Sequence, residues 1–358
     1  MNKFLALSLT LLVAGTAQAE RVLVIMKDQK SFQSAHNAYM AKGTYALRNL
    51  SGKNTLASID GVVENSLEHL NTLVIDTKNA QEIEFLKANP AVAYVEKEYF
   101  HELPAPVKGM LVSKNARGVM STRQTSGQAP WGIAAVKAPQ AWALAGQGEG
   151  VRVMVLDTGI DEQHASFANN FEAGMDFTNL SDGSDYTDLV SHGTHVAGTI
   201  AAAYDAATGF TGVAPKAKIL AGRVCGTNGC SNVSIAAGIN WAIEKNVDVV
   251  NMSLGGMWST PAERTAVANA LKAGVTIVAA SGNDGTGRVS YPAALPGVIA
   301  VGAVDVNIAR GEFSQYGKEL TVVAPGVDVL STVPRGTGLE PSVSIEGVGE
   351  VKATTFVG

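Results

Sequence analysis

Two histidines stand three residues apart in SHGTHVAGT, residues 191–199. His192 and His195 could be a metal pair, a general base at the start of a helix, or packed side chains. Each reading needs company. A zinc site wants three or four ligands; this spacing supplies two, with no cysteine or further histidine nearby to complete the set. A general base needs an acid to fix its tautomer and orientation. Asp157 is a separate candidate. It closes the apolar run VRVMVLD at 151–157, and a carboxylate at the end of a buried strand needs a partner, because burying a lone charge is costly. An Asp followed by Thr158-Gly159 also reads as a turn former. Asn283, in AASGNDG, carries an amide able to donate to a developing oxyanion, or belongs to a Gly-rich turn. His195 reads as a structural histidine.

These side chains need elements to hold them. VRVMVLD, AKILAGRV, VDVVNMSL, VTIVAASG, GVIAVGAV and ELTVVAPG read as strands. HGTHVAGTIAAAY, SIAAGINWAIEKN and PAERTAVANALKAG read as helices between them. The second helix puts Ile235, Ile239 and Ala242 on one side, and the third has Pro261 near its start and Gly274 at its end. Strands alternating with helices predict an α/β fold built on a doubly wound parallel sheet. An active site in such a sheet lies beyond the carboxyl ends of the strands. Upstream, RVLVIM, NTLVID and AVAYVEKEY read as strands separated by two helices, SFQSAHNAYMAKG ending at Gly43 and NAQEIEFLKANP stopped by Pro90. This β-α-β-α-β pattern predicts a small α+β module over 20–100. Residues 101–129 lose periodicity and read as an exposed connector open to proteolytic nicking. The main domain is expected over 130–335.

The 358 residues carry a formal net charge of −5 and no Lys/Arg run, so no nucleic-acid partner is expected. Lys3, the apolar stretch from Phe4 to Ala14 and Ala17-Gln18-Ala19 predict a signal peptide over 1–19, cut before Glu20. That apolar run is too short for a bilayer core of about 30 Å. A secreted protein, extracellular or periplasmic, with no membrane association after cleavage is expected. The two cysteines, Cys225 and Cys230 in CGTNGC, could be free thiols; in an oxidising compartment a disulfide is the expectation. Their Gly- and Asn-rich spacer can fold back to a Cα separation of about 4.4–6.8 Å.

The order LDTGID, SHGTHVAGT, NMSLGG, AASGN, VVAPG is far more specific than any one motif. Over about 129–334 it resembles the subtilisin-like serine protease family, and the module before it resembles that family's inhibitory propeptide. The resemblance implies an endopeptidase that hydrolyses peptide bonds of protein or peptide substrates through a Ser-His-Asp triad. Asp157 and His192 match two triad members, and Asn283 matches the oxyanion donor. Ser253, Leu254 and Gly255 match the strand that lines the cleft and pairs with substrate backbone. Ala280 and Gly282 match the opposite wall of a roomy, apolar P1 pocket. The propeptide is expected to assist folding and to cap the cleft with its carboxyl end, acting as an intramolecular inhibitor of this zymogen.

The triad serine is missing from the pattern. The family carries it in a Gly-Thr-Ser-Met-Ala segment soon after the APG strand, and this chain contains no Gly-Thr-Ser. Ser331, Ser342 and Ser344 stand in other contexts. The expectation is a catalytic domain that is incomplete here, with the serine beyond residue 358 and 336–358 opening an inserted β-rich, protease-associated-like domain. A non-catalytic peptide-binding relative and a prematurely ended product are the alternatives. No cofactor is certain and no metal ligand is assigned. Calcium stays open, but Ala206 and Ser166 stand where the family's strong site has oxygen ligands.

Overall fold

The computed structural model describes residues 20–42, 61–102, 129–180, 182–206, 209–336, 343–345 and 349–354. The first unit comprises β1 (Glu20–Met26), α1 (Gln29–Lys42), β2 (Val62–Leu67), β3 (Thr72–Thr77), α2 (Ala80–Ala88) and β4 (Val92–Lys97). Its antiparallel sheet has the order β2-β3-β1-β4. Strand β2 is an addition to the expected pattern. Its sequence VVENSL interrupts the apolar run with three polar residues, and its pairing with β3 shifts register between Val63 and Asn65, so it gives no clean alternation to read. Gly43, expected to end α1, lies outside the described residues.

The two faces of this sheet have different jobs. Val22, Val24 and Met26 pack with Phe32, Ile83 and Leu86 beneath the module's own helices. Leu23 and Ile25, alternating with them, join Leu67, Leu70 and Val74 in the core of the second unit. The module therefore docks through an apolar sheet face. His101, expected to open the connector, instead lies in a short strand, β5 (Phe100–His101).

The second unit begins with α3 (Trp131–Ala135) and α4 (Ala138–Ala145). It continues through β6 (Arg152–Asp157), β7 (Phe171–Asp176), α5 (His192–Ala201), β8 (Lys218–Arg223), β9 (Cys225–Gly226), β10 (Gly229–Ser231) and α6 (Asn232–Glu244). It ends with β11 (Val249–Met252), α7 (Pro261–Lys272), β12 (Thr276–Ala280), β13 (Ile299–Val304), β14 (Val322–Pro325), β15 (Val329–Thr332), β16 (Val343–Ile345) and β17 (Gly349–Thr354). Seven strands form one parallel sheet in the order β14-β13-β12-β11-β6-β8-β7. Strand β6 shows why it is covered on both faces. Met154 and Leu156 pack with residues of α6 and α7, whereas Val153 and Val155 pack with Ala197 and Ala201 of α5. A doubly wound α/β fold follows.

Three local differences from the sequence reading have physical causes. Strand β7, FEAGMD, reads poorly as a strand because of its glycine and acids, yet it is the sheet edge and a Cβ at Gly174 would run into the Tyr186 ring. Helix α5 stops at Ala201 because Ala202 turns extended, at ψ 130°. Helix α6 is buried nearly all round rather than on one side, because the module covers its outer face. The tail strands β16 and β17 pair back onto β15 in a sheet ordered β15-β17-β16.

Candidate active site

Chain order places the candidate residues together. Strands β6, β11 and β12 are neighbours, and Asp157, Ser253 and Asn283 follow at their carboxyl ends. The chain leaves β6 towards β8 and β7 on one side and returns to β11 on the other, so this is also where the winding direction switches.

Asp157 and His192 are both buried, at 0% and 1% exposure. His192 Nδ1 donates to Asp157 Oδ1 at 2.7 Å, and the Thr158 amide donates to the same oxygen at 2.7 Å. The close fit between the strand end and the helix start depends on glycine. A Cβ on Gly193 would overlap the carbonyl oxygen of Gly159, and Gly159 itself adopts φ +108° against the Tyr186 carbonyl. Ser191, which leads into α5, is left-handed at φ 81°, a sparsely populated conformation for a non-glycine residue.

Asp188 organises that helix start, and the sequence reading missed it. Its carboxylate accepts from Thr158 Oγ1 (2.8 Å), Val190 N (3.0 Å), Ser191 N (2.8 Å), Thr194 N (2.8 Å) and Thr194 Oγ1 (2.6 Å). Burial pushes its carboxyl above the ordinary range, opposed by the hydrogen bonds from Thr194, Thr158 and Val190. One carboxylate thus ties the Asp157 turn to the His192 helix. Asp188 accepts from the amides two and three residues further on, an Asx-turn signal that could have been read.

His195 sits on the same helix, with Nε2 3.1 Å from the Val329 carbonyl. Ser331 Oγ donates to the His195 carbonyl at 2.6 Å and Thr332 Oγ1 to the Thr194 carbonyl at 2.7 Å. These bonds bind α5 to β15. Ser331 is wholly buried and its hydroxyl is committed to this seam.

On the other side, Ser253 Oγ accepts from Asn251 Nδ2 at 3.0 Å, and Leu254 is buried at 4% exposure. Gly255 lies where a Cβ would meet the Tyr291 carbonyl, and Gly256 exchanges two backbone hydrogen bonds with Tyr291, at 3.0 and 2.9 Å. Ala280 closes β12. Gly282 takes φ +106° with no room for a side chain beside Gln315. Gln315 was not singled out from the sequence. Its amide N–H donates to the Gly282 carbonyl at 3.0 Å, its Oε1 accepts from Asp284 N and Ser290 Oγ, and its side-chain amide donates to the Arg288 carbonyl. It brackets the turn that carries Asn283, which is half-buried.

Cys225 and Cys230 form a disulfide. Their Cα atoms are 3.9 Å apart, closer than expected, because they face each other directly across the β9–β10 hairpin. On its outer side β10 pairs antiparallel with β5, Cys230 opposite His101 and Ser231 opposite Phe100. Gly229 permits this approach, since a Cβ there would meet the His101 carbonyl. The end of the module is thus laid along the main domain as an added strand.

Among the described residues no three His, Cys, Asp or Glu side chains cluster as a metal site, and no helix is long and apolar enough to cross a membrane. Ser166, at the calcium-loop position considered above, is buried and its amide donates to His164 Nδ1 at 3.2 Å.

A buried Asp-His pair at the switch point of a doubly wound parallel sheet, with an Asn turn two strands away, is the frame of a serine-type endopeptidase. Comparison with known families agrees: residues 148–349 match the Peptidase S8 model, described as the subtilase family. The chain is 38% identical over 298 residues to subtilisin NAT of Bacillus subtilis subsp. natto, covering 82% of this chain and 71% of that protein. Subtilisin E of Bacillus subtilis (strain 168) matches to the same extent. The major intracellular serine protease of that strain is 46% identical over 214 residues, 57% of this chain and 67% of that protein. This chain belongs to the subtilase family.

Proposed function

We propose that the chain belongs to the precursor of a secreted serine endopeptidase in which Asp157 and His192 are two members of a Ser-His-Asp triad. The observation that carries this reading is the buried 2.7 Å contact between His192 Nδ1 and Asp157 Oδ1 at the carboxyl end of β6. His192 takes the proton of a serine hydroxyl at Nε2 while Asp157 holds the Nδ1–H tautomer and stabilises the imidazolium. The serine attacks the scissile carbonyl, Asn283 donates to the resulting oxyanion, and His192 returns the proton to the leaving amine. Water then hydrolyses the acyl-enzyme. Ser253, Leu254 and Gly255 bind substrate backbone, and Ala280 and Gly282 wall the P1 pocket.

The nucleophile in this reading is a serine of a Gly-Thr-Ser segment outside residues 1–358. Residues 1–19 are the export signal, and 20–100 are a propeptide that blocks the cleft in cis. The β5–β10 pairing supports that role, since a segment added as a strand is a recurring way to hold a peptide. Cutting within 101–129 matures the enzyme. The test is to read the coding region past residue 358, extend the protein to its natural stop and treat it with a fluorophosphonate. A Gly-Thr-Ser serine that labels is the expected result. A full-length protein that binds peptides without labelling overturns the triad and leaves a peptide-binding relative.

A further inference from the structure

The module's last described strand does more than pair backbone. His101 puts its imidazole into the main domain, where its side chain is 2% exposed. The ring lies against Gly256, where a Cβ would collide with Nδ1. Its Nε2 donates to Glu263 Oε1 at 2.9 Å, and the Glu263 side chain is itself 3% exposed.

Helix capping accounts for half of Glu263. Thr260 and Glu263 form a capping box at the start of α7: Oε2 accepts from the Thr260 amide at 2.9 Å, and the Thr260 hydroxyl accepts from the Glu263 amide at 3.1 Å. Such a box is complete with one carboxylate oxygen. The other oxygen, Oε1, points at His101. The neighbouring cation, Arg264, is turned to the Ser259 carbonyl at 2.5 Å. Tyr99 also leans in from the module, its hydroxyl donating to Oε2 at 3.0 Å.

Once the module leaves, His101 and Tyr99 leave together. Glu263 then stands at the bottom of an opened pocket, anchored through its cap, with Oε1 lacking its donor. A buried carboxylate in that position favours a positively charged donor and disfavours an apolar or acidic group.

We propose that Glu263 is a specificity-determining residue: it selects substrates with a histidine, lysine or arginine at the position whose backbone lies opposite Cys230, the place His101 now holds. This rests on the protease reading for the word substrate, but the selectivity can be read without turnover.

The test uses the intact 358-residue chain. His101→Lys, His101→Leu and His101→Glu are made alone and with Glu263→Gln, which keeps an oxygen for the capping box. The readout is hydrogen exchange of the Asn232 amide, which donates to the Tyr99 carbonyl at 3.1 Å and so reports docking of the strand. Amides of β6 serve as the folding control. Expected is exchange about thirtyfold faster for Leu and Glu than for the parent, the scale for removing one partner of a buried charge pair, with Lys within about threefold of the parent. In the Glu263→Gln background the gap between Lys and Leu should shrink to about threefold or less. Leu docking as well as Lys, or a gap that survives Glu263→Gln, overturns the proposal. If the Gln chain fails the β6 control, the comparison of Lys with Glu in the parent background decides alone. Loss of fluorophosphonate labelling would remove the protease reading and leave this ranking intact; the converse result would remove only the selectivity.

Discussion

At the residue scale, Asn283 is the position where stability and the proposed chemistry should separate. It is half-buried in a turn held by Gln315 rather than by its own side chain, so truncating it should leave the fold intact. In protein that labels with a fluorophosphonate, Asn283→Ala is expected to lower kcat by about 10²–10³, the range known for the oxyanion amide of a subtilisin, with KM little changed. Steady-state kinetics on a peptide substrate checks this; a loss below about fivefold would remove Asn283 from the oxyanion role. Motif order singled out all three: Asp157 ends a strand and His192 begins a helix, while Asn283 lies in the turn three residues past the end of β12. Glu263 was half legible. Thr260-x-x-Glu263 spells a capping box, but nothing in the sequence says that its second oxygen faces a histidine 162 positions earlier in the chain.

At the element scale, helix α5 depends on a residue outside it. Asp188 takes five hydrogen bonds from the two segments that carry Asp157 and His192. Asp188→Ala would strand those donors in a buried site, a loss expected to reach about 3 kcal/mol or more since each unsatisfied group costs about 1–3 kcal/mol. A urea unfolding curve measures it, and a loss below about 1 kcal/mol would mean that water or a shifted backbone replaces the carboxylate. The continuous apolar strands in the middle of the sheet were readable because a strand buried on both faces has no polar side to confuse. Strands β2 and β7 were not, because edge position tolerates glycine and charge. Whether α6 was buried on one side or all round could not be read either, since that depends on a module about 150 residues upstream.

At the scale of the whole molecule, opposing carboxyl groups set the pH response. Burial pushes Glu96 above its ordinary value of 4.5, opposed by hydrogen bonds from Thr260, Ala262 and Asn232. A group raised in the folded state contributes stability that is complete below its unfolded value and is lost as pH rises through the folded one. Asp161 behaves oppositely: burial acts to raise it, but hydrogen bonds and charge from Arg335 outweigh that and hold it below 3.8. Its contribution is present above 3.8 and disappears as pH falls through the folded value. Module docking should therefore weaken as pH climbs from about 4.5, and the anchoring of Arg335 should fail in stronger acid. Asn232 exchange followed across pH 4–7 measures the first. Glu96→Gln should flatten that profile; an unchanged profile would locate the titration elsewhere.

The added strand β5 also carries a consequence for concentration. While residues 103–128 join module and domain, the pairing of His101 with Cys230 is a unimolecular event, and tethers of such length supply effective concentrations on the order of millimolar. A single cut in that stretch leaves every contact of the interface in place but turns the encounter bimolecular. The same nicked complex would then stay closed in a concentrated solution and come apart on dilution, so protein concentration itself becomes part of its control.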